Sequence, residues 1–118
     1  MIEKIGIGID LVDIKKFEKI SYSSKPGFYK KIFLPSEIKY CLKYKNPYEH
    51  FAGKFALKEA VKKSIPERIS LLDIETSHSK SKPKVRLLGK LRGKYLFLAS
   101  ISHEENFAMG IIISERVN

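Results

Sequence analysis

The stretch that most limits how this chain can fold is Asn46 to Lys63, NPYEHFAGKFALKEAVKK. It reads as a central helix with clear punctuation. Asn46 suits the N-cap, Pro47 the first helical position, and Glu49 the place from which a capping-box carboxylate reaches back. Pro66 stops the helix soon after Lys63. Ala52, Ala56 and Ala60 recur every fourth residue, a thin stripe that lets a neighbouring element come close. Gly53 costs about 1 kcal/mol relative to alanine at such a place, so tight packing or a ligand is expected there. Phe51 and Phe55 begin a row that continues through Glu59 and Lys63. A carboxylate on a line begun by two phenylalanines is expected to be partly buried and to need a cation, a donor or a metal. The plainer reading is a surface Glu59–Lys63 pair.

Residues 4–12 alternate as a strand does. Ile5, Ile7 and Ile9 point one way, and Gly6, Gly8 and Asp10 the other. Two glycines before an aspartate leave one face bare, the mark of close approach by a ligand or another backbone. These glycines lie inside the strand and lack a third partner, so they do not form a dinucleotide fingerprint.

With 118 residues and 43% hydrophobic content, one domain spanning 1–118 is expected. No apolar run is long enough to span a bilayer, and the first residues read as a strand rather than a signal peptide. Cys41 stands alone, which excludes a thiolate cluster and favours a cytoplasmic setting without membrane attachment. The net charge of +10 comes from 23 Lys and Arg against 13 Asp and Glu. Such a surplus favours an anionic partner: nucleic acid, a phosphorylated ligand or an acidic protein. Lysine supplies most of it, which suits steering better than base readout.

Asp13 is placed to cap a short helix that turns Ile14, Phe17 and Ile20 inward and Lys15, Lys16 and Lys19 outward. Ser21 to Gly27 reads as a loop. Phe28 to Phe33 mixes Lys30 and Lys31 with aromatics. Pro35 opens another helix, with Ile38, Cys41 and Leu42 expected on its inner side. Ile69–Thr76 and Lys84–Leu88 read as strands around a polar loop, and Leu96–Ser102 and Phe107–Ser114 as a hairpin turning at residues 103–106. Helices gather early and strands late, an α+β pattern.

Two acids stand out, Asp10 on the bare strand face and Glu59 on the central helix. If these elements pack together, the carboxylates converge. Oxygen ligands of this kind suit Mg²⁺, which takes one or two carboxylates and completes its shell with water and substrate phosphate. Lys63, or Lys58 or Lys54, would neutralise charge on a transferred or leaving phosphate. His50, His78 and His103 show no metal-ligand spacing, and no nucleophile elbow accompanies the serines.

The segments GIGIDLVDIKKF, FLPSEIKYC, HFAGKFALKEAVKK, SKPKV and SISHEENFAMGIII, in this order, resemble the holo-acyl carrier protein synthases, the small stand-alone class of 4′-phosphopantetheinyl transferase. The resemblance covers nearly the whole chain and implies an antiparallel sheet packed on a long central helix, assembled as a homotrimer with substrate sites between subunits. The implied reaction moves the phosphopantetheine arm of coenzyme A to a serine of apo-acyl carrier protein and releases adenosine 3′,5′-bisphosphate. Matched position by position, Asp10 and Glu59 become the Mg²⁺ ligands and Lys63 the pyrophosphate contact. Lys54, Lys82, Pro83, Ser100, Ser102 and His103 become positions lining the coenzyme A pocket. Lys15, Lys16, Phe28 and Lys31 match the surface that docks the acidic carrier protein, so no role for nucleic acid follows. The proton acceptor for the carrier serine stays open among Asp10, Glu59 and a metal-bound water. Three departures stand out: Ile65-Pro66-Glu67 replaces a Gly-Thr-Gly, Leu34 replaces a capping threonine, and Ser81 replaces the glycine before Lys82-Pro83. The competing reading, a basic nucleic-acid-binding module, predicts a steep dependence of binding on salt but no need for Mg²⁺ or coenzyme A.

Overall fold

The computed structural model describes residues 2–118. Its elements are β1 (Ile5–Asp13), α1 (Ile14–Lys19), α2 (Pro26–Lys30), α3 (Pro35–Leu42), α4 (Pro47–Ser64), β2 (Ile74–Ser79), β3 (Lys82–Leu87), β4 (Tyr95–Glu104) and β5 (Phe107–Arg116). Strands β1, β5 and β4 form an antiparallel sheet in that order, and β2 and β3 form a separate hairpin. The architecture is α+β, with the sheet laid against α4.

The fit between sheet and helix follows from the small residues seen in the sequence. A side chain added at Gly8 would put its Cβ 1.8 Å from the carbonyl oxygen of Ala60, and one at Gly6 would stand 1.8 Å from that of Ser64. At Gly110, paired with Asp10 across β1 and β5, a Cβ would meet the backbone of Ala56 at 2.8 Å. The bare face of β1 thus receives a helix backbone, and the alanine stripe of α4 is the surface that it receives. Phe51, Ala52, Ala56, Leu57, Ala60 and Val61 are fully buried around this contact.

The opposite face of the sheet is apolar and uncovered. Ile7, Ile113 and Leu98 form one cross-strand row, and Ile9 and Ile111 pair in the next. Ile7 is 66% exposed and Leu98 71%, values that a finished core does not show.

Asn46 caps α4 as expected, its Oδ1 accepting from the Tyr48 N–H at 3.3 Å. Glu49 does not close a capping box; it turns instead towards His50 and His103. Asp13 caps α1 by accepting from the Lys15 N–H at 2.9 Å. The loop expected to run to Gly27 ends at Lys25, because Pro26 takes the first position of α2. Tyr29 of α2 is buried and donates its hydroxyl proton to the carbonyls of Phe17 and Ile20 at the end of α1. On α3, Leu42 faces outward at 44% exposure, and the inner positions are Glu37, Ile38 and Cys41.

Glu37 is the polar centre of the interior. Its Oε1 accepts from Lys58 Nζ at 2.6 Å and from the Leu34 N–H at 2.7 Å. Its Oε2 accepts from the backbone N–H and the hydroxyl of Thr76. Half of a capping box thus forms at α3 although Leu34 has no hydroxyl. Lys58 completes its shell with the carbonyls of Ile32 and Leu71, so both charges are buried and fully bonded.

The β2–β3 connection is tighter than the polar loop expected between residues 77 and 83. Ser79 pairs with Lys82, leaving Lys80 and Ser81 as the turn at φ 51° and 67°. This left-handed backbone is the conformation that glycine takes easily, and Ser81 adopts it at some cost. The first expected strand also begins later, at Ile74, after a 3-10 turn over Leu71–Asp73. The β4–β5 turn contains only Glu105 and Asn106, which places His103 on a strand.

Candidate active site

Two cavities flank α4. The first, about 640 Å³, brings Asp10 from β1 together with Glu59 from α4 and is walled by Phe17, Phe28, Ile32 and Phe55, with Lys16 at its edge. Asp10 reaches it because it follows Gly8 on the helix-facing side of β1, beyond the point where that strand touches Ala60. Glu59 reaches it one turn after Phe55. The packing of strand against helix puts both acids on the wall of one cavity.

Lys63 serves Asp10 rather than Glu59. Its Nζ donates to Asp10 Oδ1 at 2.9 Å and to the Ile9 carbonyl at 3.0 Å. Glu59 pairs instead with Lys62 at 3.6 Å. The surface Glu59–Lys63 pair considered from the sequence does not form. Lys58 is not available to a phosphate, being consumed by Glu37.

The donor set suits a hard divalent cation. It consists of two carboxylates on rigid elements, with no histidine or cysteine among the cavity-lining residues. Mg²⁺ prefers oxygen and keeps much of its shell for water and phosphate, so a pair of acids in an open cavity fits it. No cluster of three or more His, Cys, Asp or Glu able to hold a metal occurs among the described residues.

The second cavity, about 270 Å³, lies on the other flank of α4. Lys54 forms its base, Pro83 and Ser81 come from the β2–β3 hairpin, and His103 comes from β4. Gly53 and Ile101 also line it, and the glycine lets Ile101 pack close, since a Cβ there would stand 3.1 Å from the Ile101 side chain. Lys54 is 1% exposed; its Nζ donates to Thr76 Oγ1 at 3.0 Å and stands 4.7 Å from the centre of the Tyr40 ring. Among the described residues, no carboxylate lies within ion-pair distance of it. Burial draws its ammonium below the usual lysine range. Lys54 is thus a buried lysine with no direct ion-pair partner among the described residues, linked to the Glu37 carboxylate through the Thr76 hydroxyl.

Aromatic stacks line the same cavity. Tyr40 lies parallel to His78, centroids 4.5 Å apart and planes 6° apart, and Tyr44 stacks on His50 at 3.7 Å. Burial, with Lys54 and His50 nearby, lowers the His78 pKa to about 4, so this ring is neutral at pH 7. All three histidines of the sequence therefore meet in one cavity, although none is spaced as a ligand. Sequence reasoning missed Tyr40, Tyr44, His50 and His78. The one available signal was the four-residue spacing of Tyr40 and Tyr44 beside a helix rich in charge.

Other expected positions are placed differently. Ser102 pairs with Met109, which pairs with Leu11, and all three stand exposed on the sheet face turned away from α4. Ser100 lies on that face too, opposite Ile111. Lys82 is exposed at the start of β3, and of the Lys82-Pro83 pair only Pro83 lines the cavity. Lys15, Lys16 and Lys31 are solvent-exposed, and Phe28 is 36% exposed at the mouth of the Asp10–Glu59 cavity. At the Ile65-Pro66-Glu67 departure, Glu67 accepts from the Tyr95 hydroxyl at 2.5 Å and pairs with Arg116, so the segment is bound to the sheet.

Residues 6–112 match the family model described as the 4′-phosphopantetheinyl transferase superfamily, and the chain belongs to that family. Within it, the chain is 36% identical to the holo-[acyl-carrier-protein] synthase of Thermodesulfovibrio yellowstonii, over 92% of its own length and 96% of the relative's. It is 40% identical to the enzyme of that name from Syntrophus aciditrophicus, with 93% and 94% covered. The crystal structure of the Helicobacter pylori holo-[acyl-carrier-protein] synthase in complex with coenzyme A superposes with a TM-score of 0.79 at 37% identity, covering 92% of this chain and 99% of that one.

Proposed function

We propose that this chain is a cytoplasmic holo-acyl carrier protein synthase: it transfers the 4′-phosphopantetheine group of coenzyme A to a serine of apo-acyl carrier protein and releases adenosine 3′,5′-bisphosphate. The observation that carries the site assignment is the meeting of Asp10 and Glu59 in one cavity. These two carboxylates would hold Mg²⁺, which supplies neutralisation of the diphosphate charge when bound.

The carrier serine oxygen bonds to the pantetheine-side phosphorus, and the bond from that phosphorus to the bridging oxygen breaks. The bridging oxygen leaves on the adenosine bisphosphate with the bond's electron pair, and the serine proton passes to a base. Asp10 and Glu59, the two carboxylates lining the cavity, are the side chains that could serve as that base. Lys63 offsets charge on the leaving group. Phe28 and Lys16, at the cavity mouth, receive the carrier protein together with Lys15 and Lys31. The lysine surplus thus serves an acidic protein rather than a nucleic acid.

The two cavities share no lining residue and lie on opposite flanks of α4. The diphosphate belongs with Asp10 and Glu59, and an additional phosphate belongs with Lys54, where Pro83 and the stacked rings suit a nucleoside. A single coenzyme A is served by the first cavity of one copy and the second cavity of another. The uncovered apolar sheet face provides the seam for a homotrimer. Ile7→Glu combined with Leu98→Glu should give a folded monomer in light scattering, with transfer activity lost. A stable trimer of the double variant would refute this placement.

The decisive experiment incubates the protein with apo-acyl carrier protein, coenzyme A and Mg²⁺ and records intact-protein mass spectra. The carrier should gain the mass of one phosphopantetheine arm on its serine. An unmodified carrier at long times would sink the assignment.

A further inference from the structure

Lys63 is held on Asp10 by two directed hydrogen bonds, to Oδ1 at 2.9 Å and to the neighbouring Ile9 carbonyl at 3.0 Å. Asp10 is the more buried partner, its side chain 18% exposed against 54% for Lys63. An ammonium placed so occupies one of the two oxygens of the Asp10 carboxylate and offsets its charge, both of which a divalent cation would need. The two cations therefore compete for one ligand, and the compact, flexible lysine can leave without disturbing α4.

Glu59 lacks this encumbrance. Its partner Lys62 stands 3.6 Å away, beyond a good hydrogen bond, and both side chains are partly in solvent. The two acids therefore differ: Glu59 is held loosely by its lysine, whereas Asp10 carries an ammonium in hydrogen-bond contact with Oδ1.

From this asymmetry we infer that Lys63 is an exchangeable place-holder. It occupies Asp10 until a diphosphate draws its ammonium away, and it thereby lowers the affinity of the site for metal alone and couples metal binding to arrival of the phosphorylated substrate. The inference rests on the assignment of Asp10 and Glu59 as metal ligands. It gives Lys63 a positioning role towards Asp10 that is separate from its contact with phosphate.

The test is calorimetric titration of the intact protein with Mn²⁺ in the absence of coenzyme A. Lys63→Met should bind Mn²⁺ about three- to fivefold more tightly than wild type, the scale of a partly exposed ion pair. Lys63→Arg keeps the charge and the donors and should restore the wild-type affinity. Lys16→Met removes the same charge from the cavity edge without touching Asp10 and should change affinity less than Lys63→Met does. Kinetics give an independent sign: Lys63→Met should need less Mg²⁺ for half-maximal rate while its kcat falls. Asp10→Asn should lose Mn²⁺ binding. If Asp10→Asn loses it and Lys63→Met binds no more tightly than wild type, the place-holder role is overturned and the metal assignment stands. If Asp10→Asn binds Mn²⁺ as wild type does, both fall.

Discussion

Glu59→Gln is expected to fold normally and to lose kcat by about a hundred- to a thousandfold at saturating Mg²⁺ and coenzyme A. The amide keeps the shape of the side chain but removes the charge that a hard cation seeks. The structural cost is small, since among the described residues the carboxylate has Lys62 at 3.6 Å as its one ion-pair partner, and an exposed pair of this kind contributes no more than about 1 kcal/mol. Thermal denaturation alongside steady-state assays separates the two effects. A variant that turns over within about threefold of wild type would remove Glu59 from the chemistry.

A second large effect concerns folding rather than chemistry. Gly8→Ala asks a methyl group to stand 1.8 Å from the Ala60 carbonyl oxygen and 2.8 Å from its carbon. Both neighbours are backbone in regular elements, so nothing short of separating β1 from α4 makes room. The expected loss exceeds about 4 kcal/mol, a large part of the stability of any domain this size. The variant should be largely unfolded or recovered as aggregate. Gly27→Ala is the matching control: a Cβ at Gly27 meets nothing within 4 Å, and alanine should be neutral or stabilising in α2. Equilibrium urea unfolding of the pair decides the matter. A Gly8→Ala protein within about 1 kcal/mol of wild type would mean that strand and helix do not meet as described.

The parts of this arrangement visible in the sequence are those encoded by short periods. The alanines at 52, 56 and 60 and the glycines at 6 and 8 each marked a surface made for close contact, and the two surfaces proved to be partners. Asp10 and Glu59 then met because the elements that carry them are pressed together. What the sequence concealed were pairings between distant positions. Lys63 was one turn from Glu59 yet bonds to Asp10, because the strand brings a more buried oxygen within its reach. Pro26-Gly27 resembled a turn until proline took the first position of α2. Ser102 sat in a promising motif, but strand alternation turns it away from the cavity that His103 enters. The second cavity draws on α3, α4, the β2–β3 hairpin and β4, and no local pattern announces a site gathered from four places.

The buried Glu37 carboxylate has a consequence for how such a chain can vary. It joins α3, α4 and β2 through Lys58 and Thr76, and its charge is neutralised inside the protein by Lys58 alone. Removing either member of the Glu37–Lys58 pair alone would leave the other as an uncompensated buried charge. Both charges exchanged together for apolar residues of matching bulk should cost far less stability than either single replacement.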